Sequence, residues 1–161
     1  NLTAWAMATG QIRLKSDGSA WRPLVHVTDM AQAFLTVLLA PRAAVHGQAF
    51  NVGSRANNMT VASIAKIIEE ELDGAKITFA PAAVADTRTY RVDTSRLEGL
   101  GYRAKVSVRD GVRELRDAFA THGVSVADFE GTRYKRVDRV RQLIDSGLFG
   151  PDMKRKIDKA A

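Results

Sequence analysis

Arg22-Pro23-Leu24-Val25-His26-Val27-Thr28-Asp29 is the stretch on which the fold turns. A cation, a β-branched apolar run and an acidic residue stand directly before a helical pattern. They read as a strand over residues 24–27 that delivers the chain into a helix. Asp29, with Gln32 three residues on, has the spacing of a capping box. Met30, Ala33, Phe34, Val37 and Leu38 then recur at helical intervals, which predicts one buried face, and Pro41 stops the helix. Ala49-Phe50-Asn51-Val52-Gly53 reads as the next strand, closed by a glycine turn.

Upstream of that unit, residues 2–8 read as the end of a helix stopped by Gly10. Gln11-Ile12-Arg13-Leu14 alternates polar and apolar as a strand does, and Ser16-Asp17-Gly18-Ser19 is a turn. Downstream, Thr60 caps a helix with a stripe of Val61, Ile64, Ile67, Ile68 and Leu72, followed by a strand at Lys76-Ile77-Thr78-Phe79. Residues 80–89 lack periodicity and form a loop. Ser95 opens a short helix ended by Gly101, and Ser107 opens another to about Thr121, with Val108, Val112, Leu115 and Phe119 inward. Arg133 to Ser146 is a charged helix whose stripe is Tyr134, Val137, Val140, Leu143 and Ile144. Beyond Pro151 the chain is basic and expected to fray. Strands alternating with helices indicate the α/β class.

Composition narrows the function. In 161 residues, 45 % hydrophobic and 26 % charged side chains suit a globular domain. No window approaches the roughly 18 apolar residues of a membrane span, and residues 1–5 lack the pattern of a signal peptide. The absence of cysteine excludes disulfides and thiolate metal sites and agrees with a cytoplasmic home. The chain opens on Asn1 rather than methionine, as though it lay inside a longer protein. The net charge is +6, and residues 121–161 hold nine Lys/Arg against six Asp/Glu. Interspersed signs and the lack of an aromatic-basic platform argue against nucleic acid as a partner.

No nucleophile elbow, phosphate loop or metal-ligand cluster occurs, and His26, His46 and His122 are far apart. His26 is expected to be a packed or hydrogen-bonded histidine. Arg22 is the sharper candidate, because a guanidinium at a strand mouth offers a rigid fork for phosphate oxygens; a surface ion pair is the plainer reading. Arg88 and Arg91 have similar standing, with Asp86 as a structural partner for one of them. Tyr90 is placed either to stack on a ligand or to sit half-buried in a strand.

These residues, in this order, are familiar. Arg22 to Asp29, then Phe50-Asn51-Val52-Gly53, then Asp86-Thr87-Arg88-Thr89-Tyr90-Arg91-Val92-Asp93 with Ser95-Arg96 and Leu100-Gly101-Tyr102, resemble the C-terminal portion of extended short-chain dehydrogenases/reductases. That group contains the NAD-dependent epimerases and dehydratases of nucleotide sugars. The resemblance covers residues 1 to about 120, and residues 125–150 look like an extension of one subgroup. It implies the C-terminal part of an extended Rossmann-type enzyme, with a late strand–helix–strand of the parallel sheet and a small α/β substrate-binding lobe. It divides the chain into a substrate-lobe helix and strand (1–23), a strand–helix–strand completing the cofactor-domain sheet (24–53), the substrate-binding lobe (54–122) and a charged helical C-terminal extension (123–161).

By the same resemblance, Asn1 and Arg22 bind the substrate diphosphate, Leu14 ends a strand whose backbone reads the nucleobase, and Tyr90 touches the nucleotide. Pro23 stands where many relatives have aspartate. Ala82 and Ala83 stand where many have a second arginine, and Arg88 is the expected replacement cation. The implied cofactor is NAD, bound mainly by an N-terminal half with a Gly-rich loop and a Tyr-x-x-x-Lys pair; neither motif occurs here, so no catalytic residue is assigned. The implied partner is a nucleotide-diphosphate sugar, with a homo-oligomer possible and neither nucleic acid nor membrane expected. A non-catalytic nucleotide-binding or interaction module is the alternative reading. If the parallel sheet is missing, the apolar face of helix 30–39 should stand exposed and invite self-association.

Overall fold

The computed structural model describes residues 1–155; of the end expected to fray beyond Pro151, residues 156–161 lie outside them, while Lys154 O accepts from Gly150 N–H at 2.9 Å and Arg155 bridges to Phe149. In chain order the elements are α1 (Leu2–Thr9), β1 (Gln11–Leu14), β2 (Trp21–Pro23), α2 (Val27–Leu39), α3 (Arg42–Val45), β3 (Asn58–Thr60), α4 (Val61–Glu71), β4 (Lys76–Phe79), α5 (Ser95–Glu98), α6 (Val108–His122), α7 (Val126–Glu130) and α8 (Arg136–Asp145). The chain is α/β, as the alternation of strands and helices predicts, and β1 pairs parallel with β4, Ile12 opposite Ile77 and Leu14 opposite Phe79. A parallel pair needs a crossover. Here β2, β3 and α4 lie on it, and α4 packs back on the pair.

One core forms where α1, α4 and α6 cover this pair: Ala6, Ile12, Leu14, Ala65, Ile68, Leu72, Ala75 and Val112 are buried together. The stripe predicted for α4 is the one buried, and Thr60 caps it by accepting from Ser63 N–H at 3.1 Å. Ser107 caps α6 in a complete capping box with Asp110. Leu115 departs from the predicted stripe and is 43 % exposed. Two glycines are required. Gly10 ends α1 in the left-handed region at φ 71°, and Gly18, at φ 81°, lies so close to Ala62 that a side chain would meet its Cβ at 3.0 Å.

Four expectations are corrected. Residues 24–27 form no ladder: the strand is Trp21–Pro23, paired antiparallel with Asn58–Thr60, and helix α2 already begins at Val27. Leu24 N–H still donates to Asn57 O, after which no strand among the described residues lies alongside. Residues 49–53 likewise run extended without a ladder partner. Asp29 is not the helix cap. His26 is, accepting from Thr28 N–H through Nδ1 at 3.3 Å, while the Asp29 carboxylate is buried and accepts from Lys105 and Val106 N–H at 2.9 and 3.0 Å.

The third and fourth corrections concern helix faces. On α2 only Ala33 of the predicted stripe is buried and Val37 half-buried; Met30, Phe34 and Leu38 are exposed, as are Val27, Leu35 and Leu39. The stripe of α8 is also largely uncovered, with Val137 64 % and Tyr134 57 % exposed and only Leu143 and Ile144 half-buried.

Candidate functional site

Arg22 sits in the centre of β2, opposite Met59, in a two-stranded ribbon that fixes its backbone. Its side chain crosses to the loop before residue 90. Nη2 donates to Asp86 Oδ2 at 2.7 Å, and Nη1 donates to Trp21 O at 2.7 Å and to Arg88 O. A guanidinium has five N–H donors, so two remain for a ligand while three hold the group in place. The Asp86 carboxylate is shared: Arg88 Nε donates to Oδ1 at 3.0 Å. These bonds hold its carboxyl well below the ordinary 3.8, at about 2, through Arg88 first and Arg22 last. Two guanidiniums against one carboxylate leave a net positive charge. Tyr90, 55 % exposed, lies with its ring 5.7 Å from the Arg22 guanidinium carbon.

Arg22 opens onto a cavity of about 560 Å³. Asn1, Asn57 and His26 stand on its polar side, and aliphatic residues of α4 and α6, Ile64, Ile68 and Val112 among them, form the rest. Asn57 Nδ2 donates to Val106 O at 3.0 Å, and His26 Nε2 meets Glu114 Oε2 at 2.9 Å, so both are held from α6's side. His26 is therefore the hydrogen-bonded histidine expected.

Of the five sequence candidates, Asn1 and Arg22 share this cavity, and Arg88 and Tyr90 adjoin it through Arg22. Arg88 is 83 % exposed on its side chain, with Nε and Nη2 both donating to Asp86, at 3.0 and 3.1 Å. Leu14 stands apart: it is buried in the core, and its carbonyl already accepts from Ala80 N–H at 2.8 Å. Asn57 carried no signal in the sequence, since one asparagine in a Ser-Arg-Ala-Asn-Asn loop looks like any turn residue. Arg91 faces away, its guanidinium carbon 3.4 Å from the centre of the Trp21 ring.

The described residues do not themselves make a dinucleotide site. That site needs a glycine-rich turn leading from a strand into a helix, whereas Gly10, Gly74, Gly101, Gly123 and Gly147, all at positive φ, follow helices. No group of three metal-ligating side chains occurs among the described residues. No described helix is long and apolar enough to cross a membrane.

Residues 2–53 match the model of the NAD dependent epimerase/dehydratase family. A curated relative, the putative GDP-L-fucose synthase 2 of Oryza sativa subsp. japonica, is 27 % identical over 114 residues, 70 % of this chain and 32 % of that protein. The chain thus spans about a third of the relative's length. Among solved structures, the UDP-glucuronic acid 4-epimerase of Bacillus cereus, in complex with UDP-glucuronic acid and NAD, superposes with a TM-score of 0.62 at 18 % identity, covering 74 % of this chain and 38 % of that one. The dTDP-glucose 4,6-dehydratase of Bacillus anthracis, in complex with NAD, gives 0.58 at 18 %, covering 76 % and 38 %. At these identities the likeness is one of fold.

Proposed function

We propose, from the match of residues 2–53 to the NAD dependent epimerase/dehydratase family model, that this chain is the substrate-binding half of an enzyme that epimerises or dehydrates nucleotide sugars. The observation that carries the reading is the placement of Arg22: a guanidinium held by three protein bonds, two donors free, at the rim of a cavity that also holds Asn1. Prefixed charge at a partly dry rim is what a diphosphate clamp requires, because the group need not reorganise when the anion arrives. The aliphatic walls keep competing water few.

In this reading Arg22 takes the diphosphate bidentately and Asn1 donates to it. Arg88 adds the second positive charge, and Tyr90 lies against the nucleotide. Leu14, buried and with its carbonyl engaged by Ala80 N–H, has no part in this reading. NAD, the cofactor that the family's name carries, would be held mainly by residues outside this chain and would supply hydride chemistry there. Residues 24–53, with their unpaired extended segments and bare α2, are the part that completes the cofactor domain's sheet. This chain's contribution is orientation: holding the diphosphate fixes the sugar relative to the reacting partner. The Tyr-x-x-x-Lys pair expected of the intact enzyme does not occur in this sequence, and on this reading the chain taken alone does not turn over substrate.

Calorimetric titration of the chain with UDP, GDP, dTDP and ADP tests the reading. One of the four is expected to bind, and Arg22→Ala to weaken it at least about tenfold, or about 1.4 kcal/mol, with Arg22→Lys intermediate because it keeps charge but loses the fork. Equal affinity of wild type and Arg22→Ala, with an unchanged melting temperature, would refute it.

A further inference from the structure

The chain's positive charge is not spread over it. Residues 131–161 carry nine Lys/Arg and four Asp/Glu, so they hold a net five of the six positive charges of the whole protein. Within this region α8 has no buried residue. Val137, Val140 and Ile144 follow one another at i, i+3 and i+7 and line one face of α8, Ile144 half-buried, and Leu148 lies just past the end of the helix. Tyr134 at the entry to the helix, with Val137, Val140 and Leu148, is exposed. Arg136 and Arg141 border that stripe on its two sides, and Lys135 and Arg139 lie behind it.

We propose that α8 with its basic flanks lies on an anionic lipid surface. An exposed apolar row on a convex helix, bordered by long cationic side chains, has the arrangement that sinks shallowly into a bilayer interface while its guanidiniums reach the headgroups. Residues 133–141 hold five Lys/Arg, a density of the kind with which basic segments recognise acidic lipid; Arg133, Lys135 and Arg141 are paired at the surface with Asp128, Glu130 and Asp138, and acidic headgroups would compete for them. A nucleic-acid duplex would use the charge but leave the valine row without a role. The expectation of no membrane partner rested on the lack of a spanning segment; a helix lying in the interface needs none.

Co-sedimentation of the full chain with vesicles tests this. Strong binding is expected to phosphatidylcholine–phosphatidylserine vesicles, little to phosphatidylcholine alone, and binding should fall steeply with salt. The double variant Arg136→Gln/Arg139→Gln is expected to lose about 25-fold in affinity, about fivefold per arginine. Val137→Asp/Val140→Asp should abolish insertion, read as loss of the Tyr134 fluorescence change on vesicle addition relative to a Tyr134→Phe control. Because α8 buries nothing, both double variants should keep the wild-type melting temperature. The proposal fails if binding is the same on neutral and anionic vesicles, if no vesicle binds, if the arginine variant binds as wild type does, or if double-stranded DNA is bound more tightly than the anionic vesicles.

Discussion

Two amphipathic helices of nearly equal length meet opposite fates. In α4, Ala65 and Ile68 are buried against β1, β4 and α6, and Val61, Ile64 and Ile67 pack behind them. In α2 the stripe is at least as apolar, yet Phe34 is 72 % and Leu38 78 % exposed. Periodicity decides which face of a helix is apolar; it does not decide whether anything covers that face. The covering of α4 comes from within the chain, through strands and α6 more than thirty residues downstream. Among the described residues nothing covers the exposed face of α2, and in the proposed reading the rest of the enzyme supplies a sheet edge for it.

Substitutions separate the two helices most sharply. Ile68→Ala should destabilise the chain by about 2–5 kcal/mol, whereas Leu38→Ala should change stability by no more than about 0.5 kcal/mol; chemical denaturation of both variants measures the contrast. A large loss at Leu38 would mean that α2 is covered after all. Next comes the one buried tie that anchors α2. Asp29→Ala leaves Lys105 and Val106 N–H without their acceptor and should cost about 1–3 kcal/mol for each group, with earlier amide exchange at residues 105–106 as its local signature.

The clamp between α4 and α6 gives a pH test. Glu71 accepts from Arg113 and Arg109, which hold its carboxyl at about 2 instead of the ordinary 4.5. A folded value below the unfolded one means that the contribution is complete above about pH 4.5 and is lost as pH falls toward 2. The melting temperature of the wild type should drop across that window, and Glu71→Gln should flatten the drop. A parallel pair of curves would remove Glu71 from the account. The smallest stability effect and the clearest solution effect belong to Phe34→Ser/Leu38→Ser: a melting temperature near that of wild type, but less self-association by sedimentation velocity. A wild-type chain that is already monomeric at high concentration would break the comparison.

What the sequence revealed depended on the range of its signals. Thr60 and Ser107 were legible as caps because a cap is a contact with the next turn, and the strand at residues 76–79 because its boundaries are a helix stop and a loop. Asp29 was misread for the same reason: an aspartate before an apolar run has the look of a cap, while its true acceptor role reaches a backbone 76 residues away. The β2–β3 ribbon was invisible, since Trp21–Pro23 and Asn58–Thr60 are too short to announce themselves and pair only across the chain. At the candidate site, Arg22 stood out by chemical type and position. Its partner Asp86, 64 residues on, was legible as an acid near Arg88 and Arg91 but not as the carboxylate shared by Arg22 and Arg88.

The most direct measurement is an amide-resolved NMR titration of the chain with the nucleoside diphosphate it prefers and, separately, with NAD. The account predicts that the diphosphate shifts residues 21–26 and 86–90, around Arg22, and that NAD shifts nothing comparably. Tight binding of NAD, or a diphosphate response centred on Arg55 and Arg91 with Arg22 unmoved, would contradict it.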